Sequence, residues 1–284
     1  MKVIENVQEL RRVTQDLKAY GVRLGFVPTM GALHEGHLSL VRRAAQENDR
    51  VVVSIYVNPA QFGPGEDLDR YPRDLEGDLG KLKEAGADLV FLPDDAVMYP
   101  EEFATWVDLP ELSDTLCGVS RPGHFRGVAT VVARLLNMVQ PDRMYLGQKD
   151  GQQAVILRNM VRDLAFPVRV VVCPTVREDD GLAMSSRNRY LSPGERESAL
   201  VLNRILGTAQ DLFSAGVTGP EEILSRLREE ISSTPHMKLI YLELADPQTL
   251  KPVDRIRPGT MLAVAAMAGE TRLIDNTILG EGPC

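Results

Sequence analysis

The residues of this chain best placed to do chemistry are His34 and His37, three apart in Pro28-Thr29-Met30-Gly31-Ala32-Leu33-His34-Glu35-Gly36-His37. The apolar run Val22–Val27 before them reads as a strand. Gly31 supplies a turn, and Leu38–Asn48 after them reads as an amphipathic helix. Two imidazoles therefore sit where a strand hands over to a helix N-terminus. Backbone N–H groups and the helix dipole favour an anion such as phosphate at such a place. Positions i and i+3 share one face of a helical turn, so both rings can address one ligand. The chemistry that fits is nucleotidyl transfer: two donors and a dipole stabilise charge building on an α-phosphate as pyrophosphate leaves.

Two plainer readings compete. The helical zinc motif needs histidines four apart with a glutamate directly after the first. Here the spacing is three, Cys117, Cys173 and Cys284 form no close pair, and no metal ligands are assigned. The other reading makes one histidine a helix cap and the other a packed surface residue.

Further along, Gly147-Gln148-Lys149-Asp150 follows a strand-like run and precedes a helical one. Lys149 there can meet phosphates as a point charge, or form a solvated pair with Asp150. Gln152 and Gln153 begin the helix, and Gln153 can reach back towards the site. Ala183-Met184-Ser185-Ser186-Arg187-Asn188-Arg189 offers two hydroxyls and a guanidinium, a compact polyphosphate grip or else a polar linker. The whole stretch Arg177–Arg189, with Glu178, Asp179, Asp180 and Gly181, reads as a loose loop that a bound nucleotide would order. Gln61, in the Asn58-Pro59-Ala60-Gln61 turn, can hydrogen-bond a carboxylate or hydroxyl without adding charge. Arg121, His124 and Arg126 suit either a carboxylate pocket or a subunit contact. Val131 and Val132 read as ordinary core, and Asp78 as a solvated helix-start acid that only secondarily suits Mg2+.

These residues need a scaffold. Strand-like runs at 22–27, 50–57, 89–92, 143–146 and 168–172 alternate with helical patterns at 38–48, 75–85, 127–139 and 152–164. The Val- and Ile-rich runs 50–57 and 168–172 read as strands buried on both faces of a parallel sheet. The pattern predicts an α/β fold, a doubly wound parallel sheet whose His34, Asn58 and Gly147 turns converge at the carboxyl ends of the strands. Composition changes near Pro174, dividing a domain of residues 1–175 from a smaller α+β domain of residues 176–284. In the latter, Ser192-Pro193-Gly194-Glu195 reads as a capping box opening a helix to about Ala215, ended by Gly216. A second helix from Pro220 and strands at 238–244, 261–268 and 272–274 follow.

With 284 residues, 44% hydrophobic and 25% charged, the chain has the composition of a soluble globular protein. Its longest apolar stretch, Met261–Ala268, is far short of a bilayer span, so no membrane is expected. The N-terminus lacks a signal-peptide pattern and the cysteines are few, which predicts a cytoplasmic protein. A net charge of −8 argues against nucleic acid as partner.

The paired His-x-x-His turn and the Ser-Ser-Arg loop, which is similar to the KMSKS loop of class I aminoacyl-tRNA synthetases, point together to adenylation. The ordered set FVPTMGALHEGHLSL, SIYVNPAQF, YPRD, RPGHFRGVATVV, GQKDGQQ and PTVREDDGLAMSSRNRYLS, from Phe26 to Ser192, resembles the pantothenate synthetase (pantoate–β-alanine ligase) family. The resemblance implies a Rossmann-like domain, a C-terminal lid domain and a homodimer. It implies ATP, with Mg2+, as a substrate beside pantoate and β-alanine, and a pantoyl adenylate as intermediate. ATP would be lined by Met30, Gly31, Ala32, Leu33, His34, Glu35, Gly36, His37, Gly147, Gln148, Lys149, Asp150, Val176, Met184, Ser185, Ser186 and Arg187. His37, His34, Lys149 and Arg187 would act in catalysis, with His37 as proton donor. Gln61 and Gln153 would hold pantoate, and Gln61 would also meet β-alanine. Gly151 departs from the family, whose members often carry an aromatic residue there. Another His-x-Gly-His nucleotidyltransferase acting on a phosphorylated acceptor, and a non-catalytic nucleotide sensor on the same fold, are the alternatives.

Overall fold

The structure is a computed structural model and describes residues 1–280; Cys284 lies outside the described residues. The elements run β1 (Lys2–Ile4), α1 (Val7–Ala19), β2 (Leu24–Thr29), α2 (Glu35–Glu47), β3 (Arg50–Ile55), α3 (Leu75–Ala85) and β4 (Leu89–Phe91). Short helices α4 (Asp95–Met98), α5 (Pro110–Ser113) and α6 (Cys117–Ser120) precede α7 (His124–Val139), β5 (Arg143–Gly147), α8 (Gly151–Asp163) and β6 (Arg169–Cys173). The remainder is α9 (Pro193–Ala199), α10 (Val201–Ser214), α11 (Pro220–Ser232), β7 (Met237–Ala245), β8 (Met261–Ala268) and β9 (Thr271–Ile278). The chain forms two compact units. One holds residues 1–113, 121–147 and 156–173; the other holds 114–120, 148–155 and the chain from 174 onward.

In the first unit six parallel strands form one sheet in the order β1-β4-β3-β2-β5-β6. The chain builds outward from β2 through β3 to β4, then returns to lay β5 and β6 on the other side of β2. Such a reversal leaves a crevice outside the carboxyl ends of the two strands that flank it, here β2 and β5. Val27, Val51, Val53 and Val90 of the strands bury against Leu40, Val41 and Ala44 of α2 and Leu82 and Ala85 of α3. At roughly 1.5–3 kcal/mol per fully buried aliphatic side chain, this face fixes where α2 and α3 lie.

Several elements differ from the sequence reading. β1 and α1 were not anticipated: a three-residue strand has no period to read, and α1 buries only Leu10 and Thr14. α2 begins at Glu35, not Leu38, because Glu35 and Gly36 carry no apolar signal although they are already helical. The run at 168–172 was expected to be buried on both faces. β6 instead is an edge strand, with Val170–Val172 only half-buried.

The second unit packs α9, α10 and α11 with an antiparallel sheet, β7-β8-β9. Its core joins Leu202, Ile205 and Leu206 to Ile223, Leu227, Leu262 and Val264. The Ser192–Glu195 capping box is present, with Pro193 opening α9. The single helix expected from Pro193 to about Ala215 is divided at Leu200, whose N–H turns to Glu197 in a tighter bond. No Gly or Pro marks that break.

Candidate active site

β2 runs through Pro28 and Thr29 to Met30, and the chain then turns at two consecutive residues with positive φ, Gly31 at 82° and Ala32 at 51°. Glycine accepts that conformation freely; alanine there costs about 1–2 kcal/mol. The turn is held by Asp78, which is 1% exposed. Its two carboxylate oxygens accept the N–H groups of Ala32 and Leu33, each at 2.7 Å. Lys81, one turn further along α3, donates to the Leu33 carbonyl at 2.9 Å. Asp78 is therefore neither the solvated helix-start acid of the sequence reading nor disposed towards Mg2+. α3 packs against α2, which carries its carboxylate under the turn, where both oxygens are engaged. The amides of Ala32 and Leu33 are likewise taken. At the start of α2 the His37 N–H already donates to the His34 carbonyl at 2.9 Å, so helix geometry leaves only the N–H groups of Glu35 and Gly36 without an acceptor.

His34 is extended and occupies the N-cap position of α2, and His37 lies in the first turn. The rings sit side by side, centroids 4.0 Å apart and tilted 42°. His37 Nδ1 accepts the backbone N–H of His34 at 3.4 Å. That assigns the hydrogen of a neutral His37 to Nε2. His37 is thus the cap of the pair, and a capping histidine still sits at the positive end of a helix.

Gln61 is held beside this turn. Its Nε2 donates to Met30 Sδ at 3.1 Å and its Oε1 accepts from Asn58 Nδ2 at 3.0 Å. Asn58, buried, also donates to the Gly127 carbonyl and accepts from Tyr99 Oη at 2.7 Å. Burial pushes the Tyr99 hydroxyl up to about 12, so it stays a donor. α7 meets the Pro59–Gln61 turn backbone to backbone: a Cβ on Gly127 would lie 2.2 Å from the Ala60 carbonyl oxygen. The Gln61 carbonyl accepts from Arg121 at 3.2 Å and from His124 Nδ1 at 2.7 Å. Arg121 also meets His124 Nε2 and grips Glu66 through two nitrogens. Burial raises the Glu66 carboxyl, but Arg121's hydrogen bonds and charge outweigh it and hold the carboxyl below its ordinary range. Arg121 and His124 thus position Gln61, while Arg126 lies over the Trp106 ring. Val131 and Val132 are core.

In the second unit Lys149 and Asp150 form an ion pair at 3.5 Å, and the Gln148–Asp150 turn leads directly into α8. Gln152 is buried, accepting from the Cys117 N–H and donating to the Thr115 carbonyl, while Gln153 is half-buried. The stretch 177–189, expected to be loose, is tied down. Arg177 and Ala183 form a β-bridge, and Met184 N–H donates to the Val176 carbonyl at 3.0 Å. Leu182 enters the apolar core, and Arg196 spans Glu178 and Asp180. The acidic composition hid this, because its charges are paired and one leucine suffices as anchor. Ser185 caps a short helical turn, Ser186–Tyr190, in which Ser186 is buried and Arg187 half-buried. No three His, Cys, Asp or Glu side chains gather as a metal set among the described residues. No helix there is long and apolar enough to cross a membrane.

The family model described as pantoate-beta-alanine ligase matches residues 2–278. The chain belongs to that family. It is 53% identical over 280 residues to the pantothenate synthetase of Thermotoga petrophila, covering 99% of this chain and all of that one. It superposes on the crystal structure of pantothenate synthetase from Thermus thermophilus with a TM-score of 0.92, at 50% identity over 98% of this chain and 99% of that one. The pantoate-beta-alanine ligase of Francisella tularensis, complexed with beta-gamma ATP and beta-alanine, matches with a TM-score of 0.82 at 35% identity over the full length of both. The family match extends over both units, the six-stranded parallel sheet and the three-stranded antiparallel one alike.

Proposed function

We propose that this chain is the ATP-dependent ligase that joins pantoate to β-alanine through a pantoyl adenylate. A pantoate carboxylate oxygen attacks the α-phosphorus of ATP and pyrophosphate departs. The β-alanine amine then attacks the acyl carbon, sheds a proton and expels AMP, leaving the amide. The observation that carries the reading is a family match along the whole described fold, in a chain whose paired His34 and His37 open α2.

The residues divide the work by chemistry. His34 and His37 donate to phosphoryl oxygens whose charge grows in the transition state, with His37 Nε2–H as proton donor. Lys149 and Arg187 neutralise phosphate charge, and Ser185 and Ser186 donate hydroxyls. Met30, Gly31, Glu35, Gly36, Gly147, Gln148, Asp150, Val176 and Met184 line the nucleotide. Ala32 and Leu33 take part through shape, since Asp78 holds their amides. Gln61 and Gln153 hold pantoate by neutral amides, and Gln61 meets β-alanine. Mg2+ enters as part of the substrate, on the triphosphate. We infer a cytoplasmic homodimer, on the family resemblance; sedimentation velocity giving a single species of one chain's mass would overturn the dimer.

Pantoate-dependent exchange of labelled pyrophosphate into ATP, without β-alanine, tests the chemistry. Exchange is expected, because the adenylate forms before the amine is needed. Exchange that requires β-alanine, or ADP as product, removes the adenylate. Absence of any turnover would instead favour a nucleotide sensor.

A further inference from the structure

Gly151 opens α8 directly after the Gln148–Asp150 turn, and the room a side chain would take there is filled by Asn276 of β9. A Cβ on Gly151 would lie 2.9 Å from Asn276 Oδ1 and 3.1 Å from its Cγ. Asn276 is 5% exposed, and both polar atoms of its side chain are used on the turn. Its Oδ1 accepts from Gln148 Nε2 at 2.6 Å. Its Nδ2 donates to the Gln148 carbonyl at 2.8 Å and to the Lys149 carbonyl at 2.9 Å. Those two carbonyls belong to the peptide units on either side of the Lys149 Cα. Holding both planes fixes the direction in which the Lys149 side chain leaves the backbone. The preceding residue, Asp275, 3% exposed, receives Arg177 in two hydrogen bonds at 2.7 and 3.2 Å. One dipeptide of β9 therefore holds both the lysine turn and Arg177, in the hairpin that runs from Val176 to Met184.

We propose that Asn276 is a positioning residue for Lys149: it clamps the two peptide units that flank the lysine and so aims the ammonium at the nucleotide phosphates. This rests on the reading of Lys149 as a phosphate contact. The glycine at 151 is part of the same device, since a Cβ there would press on the Asn276 amide. A purely structural role, β9 packed on a turn, makes a different prediction: its loss would weaken the fold and every ligand alike, whatever stands at position 149.

Binding of a non-hydrolysable ATP analogue with Mg2+, measured by calorimetry, separates the two in a double-mutant cycle. Asn276→Ala should weaken the analogue about tenfold in the natural chain and less than about twofold in the Lys149→Ala background, because the partner it aims is gone. Pantoate binding should be unchanged. Asn276→Asp keeps the size but cannot donate to the two carbonyls when ionised, and should behave like Asn276→Ala. Gly151→Ala pushes on Asn276 without emptying its place, and carries the test should Asn276→Ala fail to fold. Equal weakening in both backgrounds, or natural affinity in Asn276→Asp, overturns the proposal. If the natural chain binds no analogue, the nucleotide reading falls and takes this proposal with it. If it binds and only the cycle fails, the nucleotide reading stands.

Discussion

At the scale of single residues, the chemistry is concentrated in groups whose partners are already fixed. His37 Nδ1 accepts the His34 amide, so on the proposed function Nε2–H is the group that would address a phosphoryl oxygen. His37→Ala is expected to lower the exchange rate by about 10²–10³, the loss typical of one transition-state donor, with little change in pantoate KM. A variant with near-natural turnover would remove the assignment. Asp78 is a different case, because it touches backbone. Asp78→Ala leaves two buried amides unsatisfied and a strained Ala32 unsupported, at about 1–3 kcal/mol for each amide. Asp78→Asn retains one acceptor and should recover part of that stability. Urea unfolding of both variants checks this: an Asp78→Ala protein as stable as the natural one would mean that the clamp is dispensable.

At the scale of elements, some site residues are placed by a local pattern and others by a segment distant in sequence, and this decides what could be read beforehand. The His34–His37 pair was legible because strand, turn and helix start lie within sixteen residues, a local pattern. Asp78 was misread because its partners, Ala32 and Leu33, stand on another element, so a carboxylate early in a helix looked like an ordinary dipole partner. Arg121 stood open between two roles because Glu66 and the Gln61 carbonyl carry no sequence mark. Asn58 was seen only as a turn former, and the N-P dipeptide was its one signal. Gly127 was treated merely as a helix start, although it lets α7 touch the Gln61 turn. Gly127→Ala would drive a Cβ into the Ala60 carbonyl, so the turn must move, at about 1–3 kcal/mol for overpacking. The expected result is a pantoate KM raised several-fold, alongside a lower Tm and an ATP KM near the natural value. Equal rises in both KM values would mean that the whole unit has shifted, not the turn alone.

For the whole molecule, the paired carboxylates and buried tyrosines set opposite limits to stability. Hydrogen bonds from Arg43 and Tyr145 hold Glu47 below its ordinary value, Arg23 does so for Asp49, and the Thr249 and Gln248 amides do so for Asp246. Glu66 joins them through Arg121. Unfolded, these groups take up protons in the ordinary carboxylate range; folded, they resist. Their contribution is therefore complete above that range and is lost as pH falls through the depressed values. Because Glu47, Asp49 and Asp246 lie near the surface, salt should weaken their share, leaving the part-buried Glu66 pair as the persistent one. At the other end, burial raises Tyr56, Tyr145 and Tyr241 above their ordinary value of 10.0, and Tyr99 to about 12. An unfolded chain ionises these hydroxyls near 10 while the folded chain keeps them protonated, so stability falls as pH rises through that region. The two effects predict a plateau in urea midpoint from about pH 5 to about pH 9, with decline on both sides. Tyr99→Phe removes one titrating hydroxyl, and with it the hydrogen bond to Asn58. It should be less stable than the natural chain at pH 7 and lose less between pH 9 and pH 11. A natural chain that stays flat to pH 11 would mean that these tyrosines ionise in place, and that their burial does not resist the charge.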